Sequence, residues 1–202
     1  MESTLNLFVN LAQLITGIIG ICAFIFSFHQ LKVSRITKKF EFILSLREIF
    51  NEQKKFKIHE ALRNGHSIPD WASLDEYLGV FEICEVMIHN KILDTQIFSD
   101  LYKYRLQNIL SNEEIILNKL ILEVESWDNL YKLFKRIFPE INKSLDNIKL
   151  NSNELFRIYS NQLYSIPRDN FLDNIKEREI AKELENSIVD INIKLFGLES
   201  ND

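Results

Sequence analysis

Residues 5–28 read LNLFVNLAQLITGIIGICAFIFSF, a strongly apolar run near the start of a chain of 202 residues. No formally charged side chain lies between Glu2 and Lys32 when His29 is neutral. As an α-helix rising about 1.5 Å per residue, the run is about 36 Å long and exceeds a bilayer core of about 30 Å. It therefore predicts a transmembrane helix, and we assign residues 1–30 to a membrane anchor.

A cleaved signal peptide is the alternative to a retained anchor. Such a peptide begins with positive charge, has a shorter apolar centre and ends in small residues at its cleavage site. This chain begins instead with the acidic Glu2, and its apolar run ends in the bulky Phe26 and Phe28. These features favour an anchor that stays on the protein.

Charge is unevenly distributed after the apolar run. The residues from His29 to Gly65 carry nine Lys or Arg and four Glu, whereas the later residues are acidic and the whole chain has a net charge of −5. Lys and Arg directly after an anchor mark the cytoplasmic side, which predicts the N-terminus outside and the rest of the chain inside. The acidic later part does not suit duplex nucleic acid as a partner.

The basic segment itself has two interpretations. Anionic membrane lipid is its expected partner, because lipid headgroups attract Lys and Arg close to the surface. The alternative is a phosphate-binding site made by several copies of the segment together.

Polar and small residues recur along the apolar run at the 3–4 residue spacing of a helix pair. They are Asn6, Asn10, Gln13, Gly17, Gly20 and Ser27. Amides in hydrocarbon are costly unless they are paired, so this stripe predicts a homo-oligomer, a separate membrane subunit or the lining of a water-filled pore. In the simpler alternative, Asn6, Asn10 and Ser27 lie near the membrane interfaces and only Gln13 and the glycines need a partner.

The composition predicts an all-α fold, because five Gly and three Pro favour long helices over short strands separated by turns. Apolar residues recur at helical spacing from Leu31 to about Asn64 without Gly or Pro. This pattern predicts that the anchor helix continues as a basic juxtamembrane stalk over residues 31–65. Residues 66–202 are predicted to form a cytoplasmic helical bundle.

Local capping signals predict the first helices of this bundle. Ser73 and Glu76 match a capping box and open a helix expected to end near Ile92. Asp94 or Thr95 is expected to cap the next helix. The apolar residues expected to face the core from these two helices are Leu78, Phe81, Ile83, Val86, Met87, Ile97, Phe98, Leu101 and Leu106.

Later signals complete the predicted bundle. Ser111 or Asn112 is expected to start a further helix. Residues 151–154 (NSNE) match a second, looser capping box. Pro167 is expected to separate that helix from a last one, which ends near Gly197.

The sequence contains no glycine-rich phosphate loop, GxSxG elbow, HExxH motif or CxxC motif. We therefore expect neither an enzyme nor a cofactor. Cys22 and Cys84 are interpreted as inert apolar residues, since their contexts resemble neither a disulfide framework nor a metal knuckle. Glu82, Glu85 and His89 could ligate a metal from adjacent helical turns, but a solvent-exposed helix face is the favoured interpretation and no metal is expected.

Aromatic and basic residues cluster on two predicted helices. Such groups can stack a base and hold a phosphate, which suggests a nucleotide or a short oligonucleotide as ligand. The alternative is that these long side chains only cover the edge of the bundle. The candidate ligand-binding residues are Tyr102, Tyr104, Arg105, Lys132, Lys135 and Arg136.

Residues 74–136 carry a resemblance to a known group of proteins. The stretch LDEYLGVFEICEVMIHNKILDTQIFSDLYKYRLQNIL contains the Phe81–Glu82 pair, a polar turn near residues 90–94 and the Tyr104–Arg105 pair. It resembles a bacterial family of small single-anchor helical membrane proteins of uncharacterised function, similar to membrane effectors of antiphage defence systems. The resemblance implies a place in the bacterial inner membrane and a role in abortive infection.

Three functions could use a membrane anchor joined to a helical bundle. In the leading hypothesis, the chain is a homo-oligomeric effector whose bundle receives a nucleotide-like signal or a partner protein and rearranges the spanning helices into an ion-conducting pore. In the alternative, the chain is a non-conducting scaffold that recruits a partner protein to the inner membrane. A tethered hydrolase is disfavoured, because it needs convergent catalytic groups that the sequence does not offer.

Overall fold

The computed structural model describes the backbone of residues 2–159 and 178–197 and the side chains of residues 23–34, 36–155 and 179–197. No β-strand occurs within these residues, which confirms the predicted all-α fold. The chain divides into two compact units, Met1–Glu48 and Ile49–Asp202. The second unit contains the buried core described below.

The helices follow one another through short connections. In chain order, the α-helices are α1 Glu2–Asn51, α2 Gln53–Arg63, α3 Trp71–His89, α4 Thr95–Leu110, α5 Glu113–Ile115, α6 Asp128–Ile137, α7 Asn142–Tyr159 and α8 Arg178–Phe196. A π-helix, Ile116–Ile121, follows α5, and the 3-10 helices Val124–Trp127 and Pro139–Ile141 flank α6. Within the second unit, α3 packs against α2 and α6, and α7 packs against α8.

The expectation of one continuous helix through Asn64 is wrong, because the chain leaves helical geometry at Glu52 (φ −54°, ψ 137°) and restarts as α2. Neither Gly nor Pro causes this break. Packing explains it: the turn allows Ile58 and Leu62 to be buried where α2 meets α3 and α4. Tertiary contacts therefore override a local sequence that favours helix throughout.

Four aromatic side chains from three helices form the centre of the core around α3. Phe50, in the last turn of α1, lies 5.6 Å from Tyr77, 5.0 Å from Phe81 and 5.1 Å from Tyr102, measured between ring centroids. Tyr77 and Phe81 are one helical turn apart on α3, so both can contact one ring. The Phe50 ring thus links the end of α1 to α3 and α4.

The predicted capping box at Ser73 is wrong. The N-cap of α3 is Asp70, whose carboxylate accepts a hydrogen bond from the Ala72 backbone N–H at 3.1 Å. Ser73 donates its hydroxyl proton to the same carboxylate from inside the helix. Asp is at least as good an N-cap as Ser, which explains why the earlier residue starts the helix.

The predicted start of α4 is confirmed. Asp94 caps it, and its side chain accepts hydrogen bonds from the backbone N–H groups of Gln96 and Ile97 at 2.9 and 3.1 Å. Asn112 likewise caps α5 and accepts from the Ile115 N–H at 3.0 Å. In both cases one short polar side chain satisfies helix donors that have no partner within the helix.

The second predicted capping box is wrong, since residues 151–154 lie inside α7. Asn and Ser tolerate a helix interior when packing favours it, and Ser152 is buried. The predicted end of the last helix is confirmed: α8 stops at Phe196, and Gly197 has a φ of +64°, which glycine adopts at no steric cost. Pro167 lies outside the described residues.

Four of the apolar residues expected to face the core do not do so. Ile83 and Val86 on α3, and Ile97 and Leu101 on α4, are exposed. The buried stripes are narrower than the apolar composition of these helices suggests. Apolar side chains on three or four positions of each turn exceed what one packing face can cover.

The membrane anchor remains a prediction. Residues 5–22 form most of it, and their side chains lie outside those that the structure describes. Within the described part of the chain, no helix has both the length and the apolar character needed to cross a membrane.

Phe50→Ala should lower the free energy of unfolding of the bundle by about 3–5 kcal/mol, because it leaves a cavity among the aromatic rings. The matched control is Phe56→Ala, at a half-exposed ring, which should cost about 0.5 kcal/mol or less. Urea unfolding followed by tryptophan fluorescence measures both, since Trp71 and Trp127 lie in the bundle. Equal losses for the two variants would contradict the central position of Phe50.

Candidate functional site

The candidate site is built around Arg105 on α4. Arg105 shares one face of that helix with the buried residues Tyr102, three positions before it, and Ile109, four positions after it. This register turns the arginine towards the core, and its side chain is only 7% exposed. The sequence thus places a permanent positive charge on an otherwise apolar face.

Two aromatic rings hold the guanidinium group of Arg105. Its Cζ atom lies 4.9 Å from the ring centroid of Phe50 and 5.6 Å from that of Tyr104. Its Nε–H group donates a hydrogen bond to the Tyr104 hydroxyl oxygen at 3.0 Å. Cation–π contacts of this kind fix the position of a guanidinium without neutralising its charge.

No carboxylate among the described residues forms an ion pair with Arg105, and its Nη1 atom has no hydrogen-bond partner there. The other two buried cations of the described chain differ in this respect. Lys55 pairs with Glu52 and Glu76, and Lys119 lies 2.6 Å from Asp75 and 2.9 Å from Glu123. Arg105 is therefore the buried cation for which the described residues supply no counter-charge.

Two further buried polar groups near Arg105 lack a hydrogen-bond partner. The Nδ1 atom of His59, on α2, has no partner, and the Tyr77 hydroxyl, on α3, lies close to the Arg105 guanidinium without a well-formed hydrogen bond to it. The His59 ring packs edge-on against Tyr104 at 5.5 Å between centroids, and the Tyr77 ring contacts Phe50. Three helices thus each bring one unsatisfied polar group to the same aromatic cluster. We call Arg105, His59 and Tyr77 the Arg105 site.

The electrostatics of the Arg105 site favour a negative ligand. Burial, with the positive charges of Arg105 and Arg63, lowers the pKa of His59 to about 4, so this imidazole is neutral at pH 7. Burial raises the pKa of Tyr77 to about 12, which keeps its hydroxyl protonated and able to donate. A neutral imidazole, a phenol and a guanidinium can together donate hydrogen bonds to an anion.

Cys84, the free cysteine of the described core, is buried, and burial raises the pKa of its thiol to about 12. A protonated thiol is a poor nucleophile and a poor metal ligand. Cys84 is therefore not a candidate nucleophile or metal ligand of the described core.

The structure brings together half of the predicted ligand-binding residues. Tyr102, Tyr104 and Arg105 all contact one another or the Phe50 ring. The other half pairs with carboxylates instead: Lys132 with Asp128, Lys135 with Asp146, and Arg136 with Glu85. Spacing along one helix predicted which residues lie close together. It could not predict which residues of other helices pair with them.

The interpretation of Glu82, Glu85 and His89 as one exposed face is wrong for Glu85. This carboxylate is 2% exposed and accepts hydrogen bonds from Arg136 Nη2 at 2.6 Å and from Arg136 Nε at 3.0 Å. The bidentate pair joins α3 to α6 and explains why a charged residue is tolerated in the core. Within the described ranges, no group of His, Cys, Asp or Glu has an arrangement that could hold a metal ion.

Sequence reasoning missed His59, Phe50 and Tyr77, two of which it assigned to a stalk. A signal for burial was present, since His59 is next to Ile58 and three residues before Leu62 on an apolar face of α2.

The predicted polar and small stripe of the anchor is not tested by the structure. Its side chains at positions 6, 10, 13, 17 and 20 lie outside the described side chains, and Ser27 is exposed.

No protein-family model, no curated protein and no solved structure matches this chain.

Arg136→Met should lower the free energy of unfolding by about 3 kcal/mol, because it leaves the buried Glu85 carboxylate without a cation. Adding Glu85→Gln to this variant removes the charge and should recover most of the loss. Lys132→Met, at an exposed lysine on the same helix, is the control and should unfold like the wild type. Urea unfolding of the wild type, Arg136→Met, Glu85→Gln and the double variant gives the coupling between residues 85 and 136, and a coupling of zero would contradict the buried pair.

The stability of the bundle should fall as the pH decreases from about 7 to about 4. The unfolded chain binds a proton at His59 near the ordinary pKa of about 6.5, whereas the folded chain binds it only near a pKa of about 4. His59→Gln should therefore flatten the dependence of the urea midpoint on pH, and His66→Gln, at an exposed histidine, should not. Identical pH profiles for wild type and His59→Gln would refute a neutral His59.

Proposed function

We propose that this chain is a bacterial membrane-anchored effector that self-associates through its N-terminal helix and opens a pore when its helical bundle receives a signal. One observation carries the proposal. The side chains of Phe24, Ile25, Phe26 and Phe28 on α1 are between 62% and 72% exposed. Water is a costly environment for four such neighbouring side chains.

The exposed positions surround the helix. Consecutive residues of an α-helix point about 100° apart, so residues 24, 25 and 26 cover more than half of its circumference. Packing one face against a partner helix would leave the other rings in water. A helix that is apolar all round suits a bilayer, and the preceding residues 5–22 continue the same uncharged character.

Basic residues support the proposed orientation. Lys32, Lys38 and Lys39 follow the apolar run and are exposed, as expected for side chains at the headgroup level. The positive-inside rule then places the bundle in the cytoplasm and the first residues outside the inner membrane.

The polar and small stripe supports self-association and a pore. Gln13 near the middle of the run needs a polar partner in hydrocarbon, and Gly17 and Gly20 permit close approach of a second helix. A ligand that binds the open assembly more tightly than the closed one would supply the free energy for opening. Membrane damage triggered in this way suits abortive infection in antiphage defence.

A non-conducting scaffold is the second candidate, and an apolar stripe on α4 favours it. Ile97, Leu101 and Tyr104 lie at intervals of four and three residues and are all between 43% and 47% exposed. Such a stripe is the kind of surface on which a partner protein packs its own helix. In this alternative the anchor serves only to hold the bundle and its partner at the membrane.

Dye release from liposomes distinguishes the two candidates. Because a signal only shifts an equilibrium that already exists, the full-length chain reconstituted at increasing density should release some of a small trapped dye without its signal, and Asn10→Leu/Gln13→Leu/Gly17→Leu should reduce release to the protein-free level. The matched control is Thr4→Leu/Cys22→Leu, which adds bulk on the opposite face of the same helix and should leak like the wild type. A scaffold releases no dye at any density. Leakage and assembly that survive the triple substitution would eliminate the stripe as a pore lining.

A further inference from the structure

We infer that the Arg105 site binds one phosphate group of a small ligand, with a nucleoside monophosphate as the ligand class that fits it best. The binding claim stands on the bundle alone, and only the role of this ligand as the trigger rests on the proposed function. Arg105, His59 and Tyr77 each have a buried polar atom that forms no well-formed hydrogen bond with the described residues.

An unpaired arginine at 7% exposure is costly unless something neutralises it. The chain has 29 Asp and Glu residues, so carboxylates are abundant. They pair with the buried Lys55 and Lys119 and with the half-exposed Arg136, and none of those described is placed at Arg105. A buried cation without a counter-charge among the described residues needs an explanation, and a bound anion would both neutralise it and satisfy its hydrogen bonds.

The unsatisfied atoms favour phosphate over carboxylate. Arg105 Nη1, the Tyr77 hydroxyl and His59 Nδ1 belong to α4, α3 and α2, respectively, and each can donate a hydrogen bond. A carboxylate presents two oxygens in one plane, whereas a phosphate monoester presents three in a pyramidal arrangement. Three donors on three different helices suit a ligand with three acceptor oxygens better than one with two, and charge-assisted hydrogen bonds to phosphate are among the strong ones.

The aromatic side chains suit the remainder of a nucleotide. The Phe50 and Tyr104 rings hold the guanidinium before any ligand arrives, so little ordering is needed on binding. Tyr104 is 47% exposed, which leaves part of its ring accessible for stacking a base next to the site. Stacking on an aromatic side chain tolerates any base, so the site is expected to select for phosphate and not for base identity.

The test is a binding titration on the full-length chain in detergent. AMP, inorganic phosphate and adenosine are the probes, with isothermal titration calorimetry and thermal unfolding as readouts. AMP should bind and raise the unfolding temperature, inorganic phosphate should compete with it, and adenosine should do neither. Because no membrane leakage is measured, the result is independent of whether the chain forms a pore.

Variants identify the site. Tyr77→Phe keeps the ring and removes one donor, so AMP affinity should fall about tenfold. Arg105→Met removes the charge without adding a polar group, and AMP should no longer raise its unfolding temperature. Lys132→Met, at an exposed lysine outside the site, should bind AMP like the wild type.

Two outcomes would overturn the inference. One is a folded wild-type chain that binds neither AMP nor phosphate at millimolar concentration, as expected if a carboxylate of the chain itself neutralises Arg105. The other is AMP binding that Tyr77→Phe and Arg105→Met leave unchanged. A lipid headgroup is the second source of the same chemistry. Binding to vesicles containing phosphatidic acid but not to AMP, lost in Arg105→Met, would support the phosphate site and assign its ligand to the membrane.

Discussion

The Phe50 ring is the contact on which both the core and the candidate site depend. It packs against Tyr77 and Phe81 of α3 and Tyr102 of α4, and its face carries the guanidinium of Arg105. Without this ring the core would contain a cavity, and the arginine would lose the surface that orients it. Phe50 also lies on α1, the helix whose earlier residues expose the large apolar side chains.

Most buried charges of the described bundle are paired with an opposite charge, and Arg105 is the exception. Glu85 with Arg136 and Lys119 with its two carboxylates are satisfied, and they hold helices together. Arg105 is buried to a similar degree but meets only aromatic rings and a phenol among the described residues. The paired charges of Glu85 and Lys119 stabilise the fold, whereas the energetic cost of burying the unpaired Arg105 suggests a role in binding.

Local features of the fold could be predicted from the sequence, and long-range ones could not. Helical class, the caps at Asp94 and Asn112 and the stop at Gly197 depend on neighbouring residues, which the sequence displays directly. The break at Glu52 depends on burial of α2 against other helices, for which no local signal exists. The candidate site followed the same rule: Tyr104 and Arg105 are adjacent in sequence, whereas their neighbours Phe50, His59 and Tyr77 come from helices far along the chain.

The central claim is that the apolar run at residues 5–28 holds this protein in a membrane. Alkaline carbonate extraction of membranes from cells producing the full-length chain tests it most directly, because carbonate releases peripheral proteins and leaves spanning ones behind. Our account predicts that the chain stays in the membrane pellet and leaves it only with detergent. Recovery of the folded chain in the carbonate supernatant, and as a monomer in buffer without detergent, would contradict it.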